Sequence, residues 1–193
     1  MTIRVMGMIS MNDMSSYDRL LWIDVETVGI KDRTLLEVGW LFTDWDIEPD
    51  WESLKHHVVH VHHGIDDVEL FAPHRKNGLL TETQSLSTSR ELDDIISELH
   101  DDIDAIASRG CRIMLAGSSV GFDKETLEHV DPTLFSQCHY HRIDFSVLNE
   151  TMEAWKPSVY HTVPDKITDH RVSTCLHGSI EQAQAYRDII RGM

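Results

Sequence analysis

Leu20–Leu21–Trp22–Ile23–Asp24–Val25 is a short, nearly continuous apolar run with an acid near its end. Such a run reads as a buried central strand, which commits the chain to a sheet-containing fold. Glu26 follows Asp24 by two positions, and side chains two apart on a strand leave the same face. Two hard oxygen donors on one strand edge are what a pair of Mg²⁺ or Mn²⁺ ions requires. Taken alone, D-x-E reads as readily as two solvated acids where a strand stops. The apolar run before it favours a cleft over an open surface.

The rest of the chain supplies covering layers. Leu35 to Thr43 and Leu54 to His62 read as second and third strands, with Gly29 and Gly64 in the turns around them. Thr88 to Gly110 reads as a long helix, opened by a capping box of Thr88 and Glu91 and ended by Gly110. Its apolar positions, Leu92, Ile95, Ile96, Leu99, Ile103 and Ile106, recur at helical spacing. Arg112 to Ala116 is a fourth strand, Phe122 to Val130 a short helix before Pro132, and Arg142 to Asp144 a last strand. A helix through about Trp155 and another from Ser173 to Arg191 complete the order. A strand meander followed by strand–helix alternation is an α/β fold, a mixed sheet flanked by helices. Periodicity does not fix its topology. Residues 17–193 read as one domain, and residues 1–16 as a flexible N-terminal extension without the pattern of a signal peptide.

Seventeen Lys and Arg stand against 33 Asp and Glu, a formal charge of −16. That balance disfavours a protein that tracks long nucleic acid, whose affinity rests on phosphate neutralisation by Lys and Arg. It leaves room for short substrates, where a bound divalent ion supplies the local positive field. Cys111, Cys138 and Cys175 are odd in number and widely spaced, which reads as a reducing, cytoplasmic setting. No apolar run is long enough to span a bilayer.

Three further features carry chemistry. Asp123 lies in Gly117–Ser118–Ser119–Val120–Gly121–Phe122–Asp123, where a turn enters a helix; it reads either as a ligand approaching Asp24 and Glu26 or as an acid favoured by the helix dipole. His170, in the loop before the last helix, has the side chain of a general base, though the chain holds 13 histidines. His56, His60 and His62 share one face of a strand, but no cysteine or clear acid partner is built around them, so strand position is the simpler account.

The stretch Leu20 to Ile30 resembles the first exonuclease motif of the oligoribonuclease family, within the DEDDh 3′–5′ exonuclease superfamily. His74 with Asn77–Gly78–Leu79 is similar to that family's H-x-x-S-G-L segment, and Gly117 to Asp123 to its G-N-S-I-G-x-D motif. Tyr140 to Leu148, Trp155–Lys156–Pro157, His170–Arg171, Ser179–Ile180 and Tyr186–Arg187 follow in the family's order. The matches are collinear from about Leu20 to Arg187. The resemblance implies an RNase H-like mixed five-stranded sheet flanked by helices, and a metal-dependent enzyme that cuts dinucleotides and short oligoribonucleotides to nucleoside 5′-monophosphates. It implies two divalent ions, Mg²⁺ or Mn²⁺, held by Asp24, Glu26 and Asp123, with His170 as base. More weakly it implies substrate contacts from Ile30, His74, Ser119, Tyr140 and Ser146, and a homodimer in which Tyr140 helps complete the site.

The fourth acid of the family pattern falls at Cys175. A thiol is a poor Mg²⁺ ligand. Three outcomes follow: a thiolate on a softer metal, Asp165 or Asp169 reaching in, or a weakened catalyst that binds short nucleotides or a protein partner without cutting. Glu69 stands near a family tryptophan, with Phe71 as a nearby aromatic; Ser118 replaces an asparagine and His141 an arginine.

Overall fold

The computed structural model describes residues 18–62, 64–65 and 70–193. The expectation for residues 1–16 and the position of Glu69 lie outside them. A five-stranded sheet in the order β3-β2-β1-β4-β5 is formed by β1 (Arg19–Thr27), β2 (Leu35–Thr43), β3 (Lys55–Val58), β4 (Ile113–Gly117) and β5 (Cys138–Asp144). The first three strands pair antiparallel; β4 and β5 add parallel to β1. The helices are α1 (Leu79–Thr83), α2 (Leu92–Ala107), α3 (Val120–Val130), α4 (Phe145–Trp155), α5 (Pro157–Tyr160) and α6 (Val172–Gly192). Among the described residues no helix is long and apolar enough to cross a membrane.

The two faces of β1 divide the core. Leu21, Ile23 and Val25 pack with Ile95, Leu99 and Ile103 of α2 and with Val120 and Leu127 of α3. Leu20 and Trp22 pack on the other face with Leu176, Ile180, Ala183 and Tyr186 of α6 and Phe145 of α4. The Trp22 ring stacks on Phe145 at 5.3 Å and donates its indole N–H to Thr43. By the alternation of a strand, Asp24 and Glu26 continue the Trp22 row and emerge on the α6 face.

Several boundaries differ from the sequence reading. The long helix starts at Leu92, not Thr88. The Thr88 hydroxyl donates to the carbonyls of Glu82 and Ser85. Glu91 is the extended N-cap residue. The capping box does not form because this stretch turns to run beside β3: Val59 bridges Arg90 in parallel. The same bridge ends β3 at Val58, four residues before His62. The last strand is longer than expected and begins at Cys138.

Helix α6 packs tightly against the sheet at Gly39. A Cβ there would lie 2.4 Å from Val172 Cγ1 and 2.8 Å from the Lys55 carbonyl. Gly39→Ala is therefore expected to lower stability by about 1–3 kcal/mol, the usual cost of overpacking. Urea unfolding checks this, and an unchanged midpoint would mean that α6 sits further from the sheet.

Candidate active site

Asp24 and Glu26 extend from the end of β1 toward the N-terminal part of α6, and Asp123 reaches them from the first turn of α3. Asp123 Oδ1 accepts the Val25 N–H at 2.9 Å, which ties α3 to the strand. Cys175, one turn into α6, donates its thiol to Glu26 Oε1 at 3.7 Å and lies 2.9 Å from the Thr168 hydroxyl. Donor atoms of Asp24, Glu26 and Cys175 all fall within 4.8 Å of one another. The structure thus brings Asp24, Glu26, Asp123 and Cys175 into one group.

The group is electrostatically poised. Burial, then the charges of Asp123 and Glu26, raises Asp24 well above the usual carboxylate range. Burial also pushes Glu26 and Asp123 up to about 7. Asp24 Oδ2 is buried with no protein hydrogen-bond partner. Three crowded carboxylates, one with an orphaned oxygen, fit a hard divalent cation. Cys175 differs: burial, then the Asp24 charge, pushes its thiol up to about 12, so it is neutral near pH 7. Asp165 and Asp169 are both exposed, Asp169 Oδ1 accepts the Arg171 N–H, and the donor atoms gathered with Asp24 and Glu26 are those of Cys175. Lys166, which sequence reading passed over, acts on all four groups as the positive charge that lowers their pKa values.

His170 is held in the left-handed region, φ 58°, uncommon for a residue with a Cβ. The Asn77 amide donates to the His170 carbonyl at 2.8 Å and steadies this loop. The loop also lies tight on α6: a Cβ at Gly178 would sit 2.6 Å from the Ile167 carbonyl. Phe71 packs edge-on against His170 at 4.8 Å and against His74 at 5.4 Å. His74 is buried, with Nε2 3.4 Å from Glu26 Oε2, and burial keeps it on the neutral side. Phe71 and His74 therefore connect the His170 loop to the acids.

Two residues to which sequence reading gave no role, Arg171 and Glu37, anchor that loop. Arg171 donates to both oxygens of Glu37 and to Glu82. Glu37 also accepts the Val172 N–H at 3.0 Å, capping α6. Burial alone would raise Glu37, but the His56 ring 3.9 Å away and hydrogen bonds from Arg171 and Val172 outweigh it and hold it below the usual value. An acid inside the otherwise apolar LLEVGWLFT was the available signal.

Of the other expected residues, Ser119 and Ser146 meet where α3 and α4 begin, hydroxyls 3.3 Å apart, and Asp144 Oδ1 accepts from both of their backbone N–H groups. Ile30 and Tyr140 project into solvent, Tyr140 beside His139 and His141. The histidine row is corrected. His56 faces Glu37, whereas His60 and His62 meet Glu91, so an acid partner is built around them after all.

The sheet order, the flanking helices and the acids at the end of the central strand define an RNase H-like exonuclease fold. Solved structures of exonuclease I share it at a TM-score of 0.63 and 14% identity, over 89% of this chain and 41% of theirs. The E. coli exonuclease I in complex with an oligonucleotide gives 0.62 over 86% of this chain. The chain thus spans about two-fifths of those exonucleases' length. No family model matches the chain. Among curated proteins, the oligoribonuclease of Corynebacterium diphtheriae is 31% identical over 88% of this chain and 82% of its own length, and that of Mycobacterium leprae is 30% identical over 89% and 80%. The chain belongs to the oligoribonuclease family.

Two predictions follow from the electrostatics. Between their ordinary values, 4.5 for Glu26 and 3.8 for Asp123, and about 7, the folded metal-free chain holds protons on these groups that the unfolded chain releases. Stability from these groups is present at the lower end and is lost as pH rises through about 7. The melting temperature without metal is expected to fall from pH 5.5 to pH 8 by roughly several degrees, and Asp123→Asn or added Mn²⁺ should flatten the slope. A flat metal-free profile would show that the acids do not repel. Separately, Arg171→Met strips Glu37 of its cation and is expected to cost about 3 kcal/mol in chemical denaturation, the low end for breaking a buried pair.

Proposed function

We propose that this chain is a metal-dependent 3′–5′ exoribonuclease that hydrolyses dinucleotides and other very short RNA to nucleoside 5′-monophosphates. The observation that carries the reading is the group of Asp24, Glu26 and Asp123 on one strand end, desolvated and short of positive charge. These three residues would hold divalent ions, Mg²⁺ or Mn²⁺, which when bound acidify a water and neutralise charge on the leaving oxygen. His170 takes the proton of the attacking water. Asn77 and the Arg171–Glu37 pair keep the His170 loop in place. Ser119 and Ser146, at two helix starts, offer hydroxyls to the phosphate. Ile30 and Phe71 offer exposed apolar surface to the bases, and His74 closes the site beneath Phe71. The chain's net charge of −16 supports a short substrate over a polymer. The exposed Tyr140 on β5 supports a homodimer in which that edge meets a partner's site. Three free cysteines support a reducing, cytoplasmic setting.

A second reading rests on Cys175. Its neutral thiol leaves the group one carboxylate short, and a protein of that kind binds short nucleotides better than it cuts them. Incubation with a 5′-labelled diribonucleotide in Mg²⁺ and in Mn²⁺ separates the two. Mononucleotide release is expected, greater in Mn²⁺, reduced at least about 100-fold by Asp24→Ala and raised by Cys175→Asp. Cleavage by Cys175→Asp alone would establish the binder; cleavage unaffected by Asp24→Ala would remove both readings.

A further inference from the structure

Beyond β3 the chain runs beside the approach to α2. Arg90 N–H donates to the Val58 carbonyl at 2.9 Å, and His60 N–H donates to the Arg90 carbonyl at 2.7 Å. This short ladder fixes Glu91, the residue before α2, next to the histidines. His60 and His62 alternate along an extended segment and so share a side. Donor atoms of His60, His62 and Glu91 all lie within 4.8 Å of one another. The two rings meet edge to face at 4.6 Å, and His62 Nε2 is 2.8 Å from Glu91 Oε2.

Ser89 sets the state of His60. Its hydroxyl donates to the Ser85 carbonyl at 2.7 Å, so toward His60 Nδ1, 3.1 Å away, it acts as acceptor. His60 then carries its proton on Nδ1, leaving a lone pair on Nε2. A metal-ligating imidazole is usually supported by a hydrogen-bond acceptor at its other ring nitrogen, which fixes the tautomer, and the Ser89 hydroxyl takes that place here. The three residues line a cleft of about 860 Å³ floored by Leu35, Val59 and Leu92.

We propose that His60, His62 and Glu91 form a binding site for a zinc-class divalent cation, with its remaining position open to the cleft. Two imidazoles and a carboxylate are a borderline donor set that suits Zn²⁺ and not Mg²⁺, which takes oxygen ligands. Tetrahedral Zn²⁺ with bonds of about 2.0–2.2 Å sets ligand atoms about 3.3–3.6 Å apart. Small rotations that open the His62–Glu91 pair and draw in His60 reach that spacing, because the His62 and Glu91 side chains are 62% and 45% exposed. The bound ion would tie the segment after β3 to the start of α2. Without metal the same atoms form a surface imidazole–carboxylate pair, which contributes little.

Zinc titration of the full chain by calorimetry tests the site. Excess Mg²⁺ covers the oxygen donors near Asp24, and a Cys175→Ala background removes the thiol there. One equivalent of Zn²⁺ is expected to bind and to raise the melting temperature. Replacing both His60 and His62 by Ala should remove that equivalent, Glu91→Gln should weaken it at least tenfold, and Ser89→Ala should weaken it severalfold through the freed tautomer. Should the double variant fail to fold, the exposed Glu91→Gln change carries the test by itself. Zinc binding of equal stoichiometry and affinity in Glu91→Gln, or no binding by the parent, overturns the proposal and leaves a surface ion pair.

Discussion

The geometry of the site depends on one buried carboxylate. Glu37 is 1% exposed and sits opposite Glu26 across the β1–β2 pair, where an unpaired charge would be strongly unfavourable. Arg171 and the Val172 N–H satisfy it, so the side chain that neutralises Glu37 also fixes where α6 begins. That start sets two things at once. His170 is the residue immediately before Arg171, and Cys175 follows one turn later, facing Glu26. A pair of this kind adds little net stability compared with a well-packed apolar alternative, but it selects one arrangement, because any register of α6 that separates Arg171 from Glu37 strands a charge. The close approach of Val172 to Gly39 reinforces the same register by shape.

Against that fixed frame the acids are held in an unfavourable state. Asp24, Glu26 and Asp123 crowd together with an orphaned oxygen, and Ser119 and His170 both occupy positive φ, 59° and 58°. Each such feature costs on the order of 1 kcal/mol or more. The core on both faces of β1, with Trp22, Trp40 and Tyr186 fully buried, offsets that cost. Ile47, in the turn after β2, also has a positive φ, 53°, but at Ser119 and His170 this conformation falls where two loops approach the acid group, as expected of a rigid scaffold organised around a cation.

What was legible in the sequence follows the range of each interaction. The apolar run of β1 and period-two geometry were enough to place Asp24 and Glu26 on one face, since both depend only on neighbours. The convergence of Asp123, His74 and Cys175 was legible only through resemblance to the family motifs. The Thr88 capping box failed because its competitor was non-local: the Val59–Arg90 bridge pulled Glu91 into an extended conformation. For the same reason His60 and His62 read as partnerless. Their acid lies 29 residues on from His62, and nothing in the intervening sequence announces that the two segments run side by side. Arg171 was visible beside His170, but its meaning required Glu37, 134 positions away.

Cys175 alters the site in two opposing ways. A carboxylate at this point of α6 would add a further negative charge to a group in which burial and neighbouring carboxylates already push Glu26 and Asp123 up to about 7 and raise Asp24 well above its ordinary value. The thiol, neutral near pH 7 and hydrogen-bonded with Thr168 and Glu26, relieves that repulsion and steadies the metal-free fold. The same neutrality removes a hard ligand, so the hold on a strictly oxygen-seeking ion weakens. A thiol loses its proton readily to a softer cation, whose charge replaces the burial penalty with a direct bond. A donor set of this kind, three carboxylates and a thiol, suits softer divalent ions better than Mg²⁺, which takes oxygen ligands.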